Sequence, residues 1–270
     1  MASLDHTPFL AYHHAMKITT LNINSIRNAA KKGFFDWMRQ TAPDVICLQE
    51  TKVQMDTLTD PIFHPPGYHL AFSDAVKPGY SGVAIYAREK PKQVRTVFGN
   101  DIIDNEGRFV QMDFEHTSVV SLYMPSGTTG EARQAIKYQL MDVVGEFMQD
   151  VIAKKKSMIL CGDWNIAHKV IDIKNATGNK KNSGFLPEER AWLDKVFDEW
   201  GFVDAFRVLN HDKDQYTWWS NRGQAYAKNV GWRIDYQIVT PDLKDRISSV
   251  EIYKDTRFSD HAPLTIKYKF

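Results

Sequence analysis

Cysteine is nearly missing from this chain. Two occur in 270 residues, Cys47 and Cys161, and each sits inside an apolar run. That excludes a disulfide framework and a thiolate zinc cluster, and it suits a reducing compartment. Long apolar runs are missing too. Stretches such as Val45-Ile46-Cys47-Leu48 fall far short of the roughly 18–20 residues a membrane helix needs, so no membrane partner is expected. Net charge is absent as well: 34 basic against 33 acidic side chains leave +1. A general binder of polyanions would be more basic, so a nucleic-acid partner must be held by a local patch. Nor is there a Gly/Ser or Pro run that would separate domains, or an internal repeat.

What is there describes a folded enzyme-sized unit. Apolar residues make up 43% and aromatics 12%, enough for a large core and too much for a disordered chain. Residues 1–15 stand apart from this pattern and read as a disordered N-terminal extension, with one domain over 16–270. The apolar period predicts helices over 28–40, 131–153 and 187–200, the last opening on Pro187 and stopping at Gly201. In the second of these, Ile136, Leu140, Val143, Phe147 and Val151 form the apolar stripe.

The predicted strands are most informative at their ends. Residues 18–21 run into Asn22, 45–48 into Gln49-Glu50, 119–122 into Tyr123, and 158–161 into Gly162-Asp163-Trp164-Asn165. Buried strands that deliver polar groups at their ends are how an α/β scaffold assembles a site from distant sequence. Glu50 and Asp260, with the amide of Asn22 nearby, are hard oxygen donors of the kind Mg²⁺ takes. His261 beside Asp260, with Asp235 also near a strand end, can act as a base or as a charged stabiliser. Asp163 and Asn165 lie two apart and can share work on a water and an anion, although an Asx-rich turn has the same composition. Tyr123 can donate to a phosphate oxygen. The Lys/Asn segment 169–182 suits phosphate contacts or a plain solvated loop. The segment 216–232 interleaves Tyr216, Trp218, Trp219, Tyr226 and Trp232 with Arg222 and Lys228. It suits either an unstacked nucleotide or ordinary core aromatics.

Together these residues resemble a known family. Leu21-Asn22-Ile23-Asn24, Leu48-Gln49-Glu50-Thr51-Lys52, Gly79-Tyr80-Ser81-Gly82-Val83, Glu106-Gly107-Arg108, Leu122-Tyr123-Met124-Pro125, Gly162-Asp163-Trp164-Asn165, residues 179–185, Trp232-Arg233-Ile234-Asp235 and Ser259-Asp260-His261 resemble the exonuclease III family of AP endonucleases, within the endonuclease/exonuclease/phosphatase superfamily. The resemblance runs from Met16 to Phe270. It implies an α/β four-layer sandwich, two mixed β-sheets packed face to face and flanked by helices. It implies a monomeric, cytoplasmic, metal-dependent hydrolase using Mg²⁺, with Mn²⁺ able to substitute. The substrate would be double-stranded DNA with abasic sites or blocked 3′ ends. Cleavage would fall 5′ to the abasic site, with 3′-phosphodiesterase, 3′-phosphatase and 3′→5′ exonuclease activity beside it. Alternatives are a superfamily phosphodiesterase specialised for 3′ ends and a DNA-binding relative without catalysis.

The resemblance also implies roles. Glu50 would be the principal metal ligand, supported by Asp260 and Asn22. Asp163 would activate water. His261, oriented by Asp235, would stabilise the phosphate, and Tyr123 and Asn165 would donate to it. Trp218, Trp232 and Ile234 would wall a pocket for a base-less sugar. Asn179 and Asn182 would contact the DNA backbone, and Arg222 would wedge into the duplex. Whether Asp163 or His261 is the base stays open. Three positions depart from or vary within the pattern. Ser25 stands where Gly is usual, and carries a strain cost if its turn needs positive φ. Ser126 stands where many members have Asn. His168 matches one branch of the family only.

Overall fold

The computed structural model of the protein describes residues 15–270. The expected N-terminal extension lies outside the described residues except for Ala15, which opens the first strand. Two six-stranded sheets form the frame. The first contains β1 (Ala15–Asn22), β2 (Val45–Gln49), β3 (His69–Ser73), β4 (Val83–Ala87), β13 (Ile247–Ile252) and β14 (Leu264–Lys269), in the order β13-β14-β1-β2-β4-β3. The second contains β5 (Gln93–Arg95), β6 (Phe109–Asp113), β7 (Ser118–Tyr123), β8 (Met158–Asp163), β9 (Val203–Asp204) and β12 (Asp235–Val239), in the order β5-β6-β7-β8-β12-β9. Each sheet is mixed, with one parallel pair at its centre: β1 with β2 and β7 with β8. A parallel pair needs a crossover, and helices supply both. α1 (Ile26–Lys31) and α2 (Phe34–Thr41) link the first pair, and α4 (Glu131–Ala153) links the second. The remaining helices are short: α3 (Asp101–Asn105), α5 (Ala176–Asn179), α6 (Pro187–Asp194) and α7 (Ala205–Leu209).

Alternation of side chains makes the layers. Ile18, Val45, Cys47 and Ile85 of the first sheet pack in one core with Val110, Val119, Ile159 and Val239 of the second, so the sheets lie face to face. The opposite faces meet helices: Ile46, Leu48 and Tyr86 pack with Phe34, Phe35 and Met38, and Val120, Leu160 and Ile238 pack with Leu140, Val144 and Met148. This is the expected four-layer sandwich. A few buried amides and hydroxyls pin one sheet to the other. Gln49 Nε2 donates to Ser121 Oγ (2.9 Å), and Gln237 Nε2 donates to the Ile18 carbonyl (2.9 Å). Such bonds discriminate against a slipped register, because an apolar core alone tolerates one.

The helices depart from expectation in specific ways. Residues 28–40 do not form one helix. Gly33 adopts φ 84, which breaks the run into α1 and α2. The stretch 187–200 is α-helical only to Asp194 and then widens to a π-helical turn over Lys195–Glu199. α4 has the expected ends, but its buried stripe is Lys137, Leu140, Met141, Val144, Met148 and Val151, so Ile136, Val143 and Phe147 lie at its margin. Cys47 and Cys161 are both buried and unbridged. No helix among the described residues is long and apolar enough to cross a membrane.

Candidate active site

Strand register gathers the polar strand ends. Across the second sheet Tyr123 pairs with Asp163, and Asp163 with Asp235. In the first, Asn22 lies opposite Gln49, one residue before Glu50. The loop entering β14 adds Asp260 and His261, and Trp218 bridges to His261 from β10 (Trp218–Trp219), which pairs with β11 (Gly231–Trp232).

Asn22 stitches the two sheets. Its Nδ2 donates to Glu50 Oε1 (2.8 Å) and to Asp163 Oδ2 (2.9 Å). Its Oδ1 accepts the Asn24 N–H (3.1 Å), so both ends of the amide are engaged and it braces two carboxylates. Glu50 and Lys52 both hold positive φ, at 52° and 54°. Backbone bonds from Thr51 and Lys52 to the Gly82 and Ser81 carbonyls keep them there. Gly82 is required at this contact, since a Cβ would sit 2.3 Å from Thr51 Oγ1. That gives the Gly79-Tyr80-Ser81-Gly82 segment its purpose: it holds a strained carboxylate in place. Lys52 Nζ lies 2.8 Å from Glu50 Oε2 and also reaches Asn24 Oδ1. Burial alone would raise the Glu50 pKa, but the Lys52 charge and the Asn22 bond outweigh it and hold the carboxyl below its ordinary range. Asp260 is treated alike. Burial is offset by the His261 charge and by bonds from Asn24 Nδ2 (2.8 Å) and Trp218 Nε1 (3.1 Å).

The second cluster has opposite electrostatics. His261 Nδ1 lies 2.9 Å from Asp235 Oδ2, and its Nε2 points to Asp163 Oδ2 at 3.9 Å. Burial disfavours the imidazolium, but Asp235 and Asp163 outweigh burial and raise the His261 pKa, so the ring is charged at neutral pH. Burial and the Asp235 charge push the Asp163 carboxyl above the ordinary carboxylate range, opposite to Glu50 and Asp260. Asn165 (φ 53) turns back on Asp163, its N–H on Oδ1 at 2.9 Å, and its Nδ2 reaches the Met124 carbonyl (2.8 Å). Tyr123 is backed by Arg108, whose guanidinium stacks 4.6 Å from the ring centroid and donates from Nη1 to the Tyr123 carbonyl (2.8 Å). Glu106 holds Arg108 and Arg133, which accounts for the Glu106-Gly107-Arg108 motif.

Among the described residues, two places could hold a metal. Asp163, Asp235 and His261 offer ligand atoms within 4.8 Å of one another. There, however, the Nδ1 of His261 is taken up by Asp235, and a protonated ring is no ligand. Glu50 and Asp260 offer carboxylate oxygens alone, the donor set that suits a hard divalent cation. Asn22 braces Glu50 through its Nδ2, and its Oδ1, which accepts one N–H, keeps a second lone pair.

Beside these groups opens a cleft of roughly 830 Å³. Trp218, Trp232 and Ile234 line it, together with Ser126, Lys181, Asn182 and the exposed Arg222. Trp218 and Trp232 meet edge to face at 6.1 Å. The composition of 216–232 left two readings open, and the structure divides it between them: Trp218 and Trp232 face the cleft, while Tyr216 and Trp219 are core. The Lys/Asn segment divides as well. Lys181 and Asn182 line the cleft, but Lys169 and Lys174 pair with Asp194 and Asp214. Asn179 does not line it; its side chain donates to the Lys174 and Asn175 carbonyls and accepts from Asn182 Nδ2 (2.8 Å), so it braces Asn182. Ser25 adopts φ 89, so the strain expected there is present. Ser126 bonds Thr128 Oγ1 within its own loop, and His168 is tied to Asp194 (2.7 Å) under Phe197, away from the cleft. Sequence reasoning singled out neither Asn24 nor Arg133. Asn24 sits inside a quoted motif two residues from Asn22, which was the available signal. Arg133 lies in the first turn of α4, where an arginine reads as solvent-facing.

A model described as the Endonuclease/Exonuclease/phosphatase family matches residues 19–261. An exodeoxyribonuclease of Bacillus subtilis (strain 168) is 38% identical over 253 residues, covering 93% of this chain and 98% of that protein. The DNA repair nuclease APEX1 of Danio rerio is 37% identical over 254 residues, covering 93% of this chain and 81% of that protein. Among solved structures, an AP endonuclease from Archaeoglobus fulgidus superposes with a TM-score of 0.85 at 28% identity, over 94% of this chain and 99% of that one.

Proposed function

The chain belongs to the Endonuclease/Exonuclease/phosphatase family, and from that premise we propose that it is a Mg²⁺-dependent DNA repair nuclease that hydrolyses the phosphodiester 5′ to an abasic site. Trimming of blocked 3′ ends and 3′→5′ exonuclease action belong to the same reading. The observation that carries it is the pairing of two unlike acid clusters beside one tryptophan-walled cleft. Glu50 and Asp260 stay ionised, Asp163 is basic for a carboxylate, and His261 is cationic.

Each group has a task set by that charge pattern. Glu50 and Asp260 would hold the cation, which when bound neutralises charge on the phosphoryl oxygens. Asp163 orients the attacking water and takes its proton, which its raised pKa favours at neutral pH. The water oxygen attacks phosphorus in line, the bond from phosphorus to the 3′ oxygen breaks, and that oxygen takes a proton from solvent, leaving a 3′-hydroxyl and a 5′-phosphate on the base-less sugar. Protonated His261, fixed by Asp235, donates to a non-bridging oxygen. Tyr123 and Asn165 add fixed donors, each typically worth about 10²–10³ in rate. Trp218, Trp232 and Ile234 accept a sugar that carries no base, and extrusion costs least where nothing stacks. Asn182, braced by Asn179, and Lys181 hold the strand, and Arg222 enters the duplex. We place the enzyme in the cytoplasm, in keeping with two buried, unbridged cysteines, and take it to act as a monomer.

The test is cleavage of an end-labelled duplex with one abasic site, in Mg²⁺, in Mn²⁺ and in EDTA, beside His261→Ala. Single-site cutting that needs the metal and is lost in the variant is expected. No cutting, with a 3′-phosphate duplex still processed, would overturn the endonuclease reading in favour of 3′-end processing.

A further inference from the structure

One buried ion pair has no part in the chemistry above. Lys137 of α4 and Glu189 of α6 are both fully enclosed, with Nζ 2.5 Å from Oε1. Burying two charges is expensive, and replacing such a pair by neutral groups is often harmless to stability, so its presence calls for a reason other than the fold. The partners supply one. Lys137 Nζ donates a second bond to the Asn165 carbonyl (2.8 Å). Glu189 Oε2 accepts the N–H groups of Gly184 (2.7 Å) and Leu186 (3.0 Å), and Oε1 also takes Gln134 Nε2 (3.0 Å). Gly184 in turn lies against both halves of the site: a Cβ there would sit 2.9 Å from the Trp232 ring and 3.1 Å from the Asn165 carbonyl. Asn165 itself holds a left-handed conformation that needs outside support.

We propose that the Lys137–Glu189 pair is a positioning device that locks the phosphate donor Asn165 and the Gly184–Trp232 wall of the sugar pocket into one rigid frame. A buried, multiply bonded ion pair suits this because its charge-assisted bonds are short and directional, whereas apolar packing would let the turn at Asn165 rotate. The sequence hides the device: its members lie 52 positions apart, on two helices. Of the two, Lys137 acts on Asn165 directly, and Glu189 acts through Lys137 and through the loop that carries Gly184.

This inference rests on the reading of Asn165 as a phosphate donor, and the test separates the two. The variant Lys137→Met with Glu189→Gln is neutral and of similar volume. Its thermal midpoint should stay within a few degrees of the parent, while kcat on an abasic duplex falls at least tenfold. On an Asn165→Ala background the same pair of substitutions should lower kcat by clearly less than on the parent, because the donor they position is gone and only the Gly184–Trp232 wall is left to shift. A stable variant with kcat within threefold of the parent, or a full additional loss on the Asn165→Ala background, overturns the positioning role. If Asn165→Ala alone leaves kcat unchanged, the donor reading fails instead. Should the neutral variant not fold, Glu189→Asp serves: it keeps the charge but is one methylene too short to hold both Lys137 and the Gly184 loop. A fivefold or greater loss of kcat at an unchanged midpoint supports the proposal, and parental kcat overturns it.

Discussion

Glu50 and Asp163 are carboxylates tied to the same Asn22 amide, yet their neighbours drive them apart. Lys52 and the Asn22 bond keep Glu50 ionised, while burial and Asp235 make Asp163 the more basic of the two. Pairs of titratable groups pushed in opposite directions mark acid and base assignments. If Glu50 helps hold the cation, Glu50→Ala should lower kcat by on the order of 10²-fold or more with the fold intact. Rates within threefold of the parent would sink that assignment. Trp232→Ala tests a different contact. It should depress cleavage at an abasic site more than removal of a simple 3′-phosphate, since only the first substrate needs the pocket; equal losses on both would refute the wall. Ser25 offers a stability test. It caps α1 weakly, with Oγ 3.4 Å from the Asn28 nitrogen, at φ 89. Strain of this kind costs about 1–3 kcal/mol, and glycine at an N-cap loses only a few tenths. After the greater freedom of unfolded glycine is subtracted, Ser25→Gly should raise stability by roughly 1 kcal/mol, read as a higher urea midpoint. A lower midpoint would mean the hydroxyl matters more than the backbone.

The elements differ in how they are anchored, and acid should reveal it. Asp172, near the start of the Lys/Asn segment, receives Arg233 Nε (2.8 Å) and Arg207 Nη2 (2.6 Å), and Arg233 also reaches Asp204 (2.6 Å). Burial works against the charge, but Arg233 and then Arg207 hold the Asp172 carboxyl far below its usual range. Glu106 is lowered to about 2, burial being outweighed by Arg133 and Arg108. Both folded pKa values lie beneath the unfolded ones of roughly 4, so each carboxylate adds stability that is whole above about pH 4 and lost as the pH falls through the folded value. Urea midpoints should therefore hold above about pH 4 and drop between about pH 4 and pH 2, and Asp172→Asn should flatten that drop; an unchanged slope would count against the network. The same elements show what a sequence can disclose. The ends of α4 were legible because an apolar period of 3.6 runs unbroken from a glycine to a lysine cluster. Lys137 was not, because periodicity assigns a lysine to the solvent face and its partner is far away in sequence. The polar strand ends at Asn22, Glu50, Tyr123 and Asp163 were legible as a set, since each closes an apolar run. The left-handed backbone at Glu50, and the Asn22 amide that bridges Glu50 and Asp163, depend on pairing between distant segments. No local pattern encodes that.

At the scale of the whole molecule, the near-neutral charge sets how the protein should meet DNA. A net charge of +1 gives no long-range field to gather a polyanion. What the cleft offers is a short list of cations: Lys181, Arg222 and the protonated His261. Counterion release makes log K fall with log salt at a slope of about −0.9 per phosphate neutralised, so three contacts predict a loss of about 40-fold between 50 and 200 mM. A protein with a broad basic face, making 6–10 contacts, would lose about 10³–10⁵ over the same range. Fluorescence anisotropy of an abasic duplex, titrated in EDTA so that it is not cut, measures this directly. A shallow slope on abasic DNA, with much weaker binding to the intact duplex, would mean that affinity comes from the extruded sugar seated between Trp218 and Trp232. A loss beyond 10³ on both duplexes would mean that a surface outside the cleft grips the backbone, and that the pocket selects the lesion only after binding.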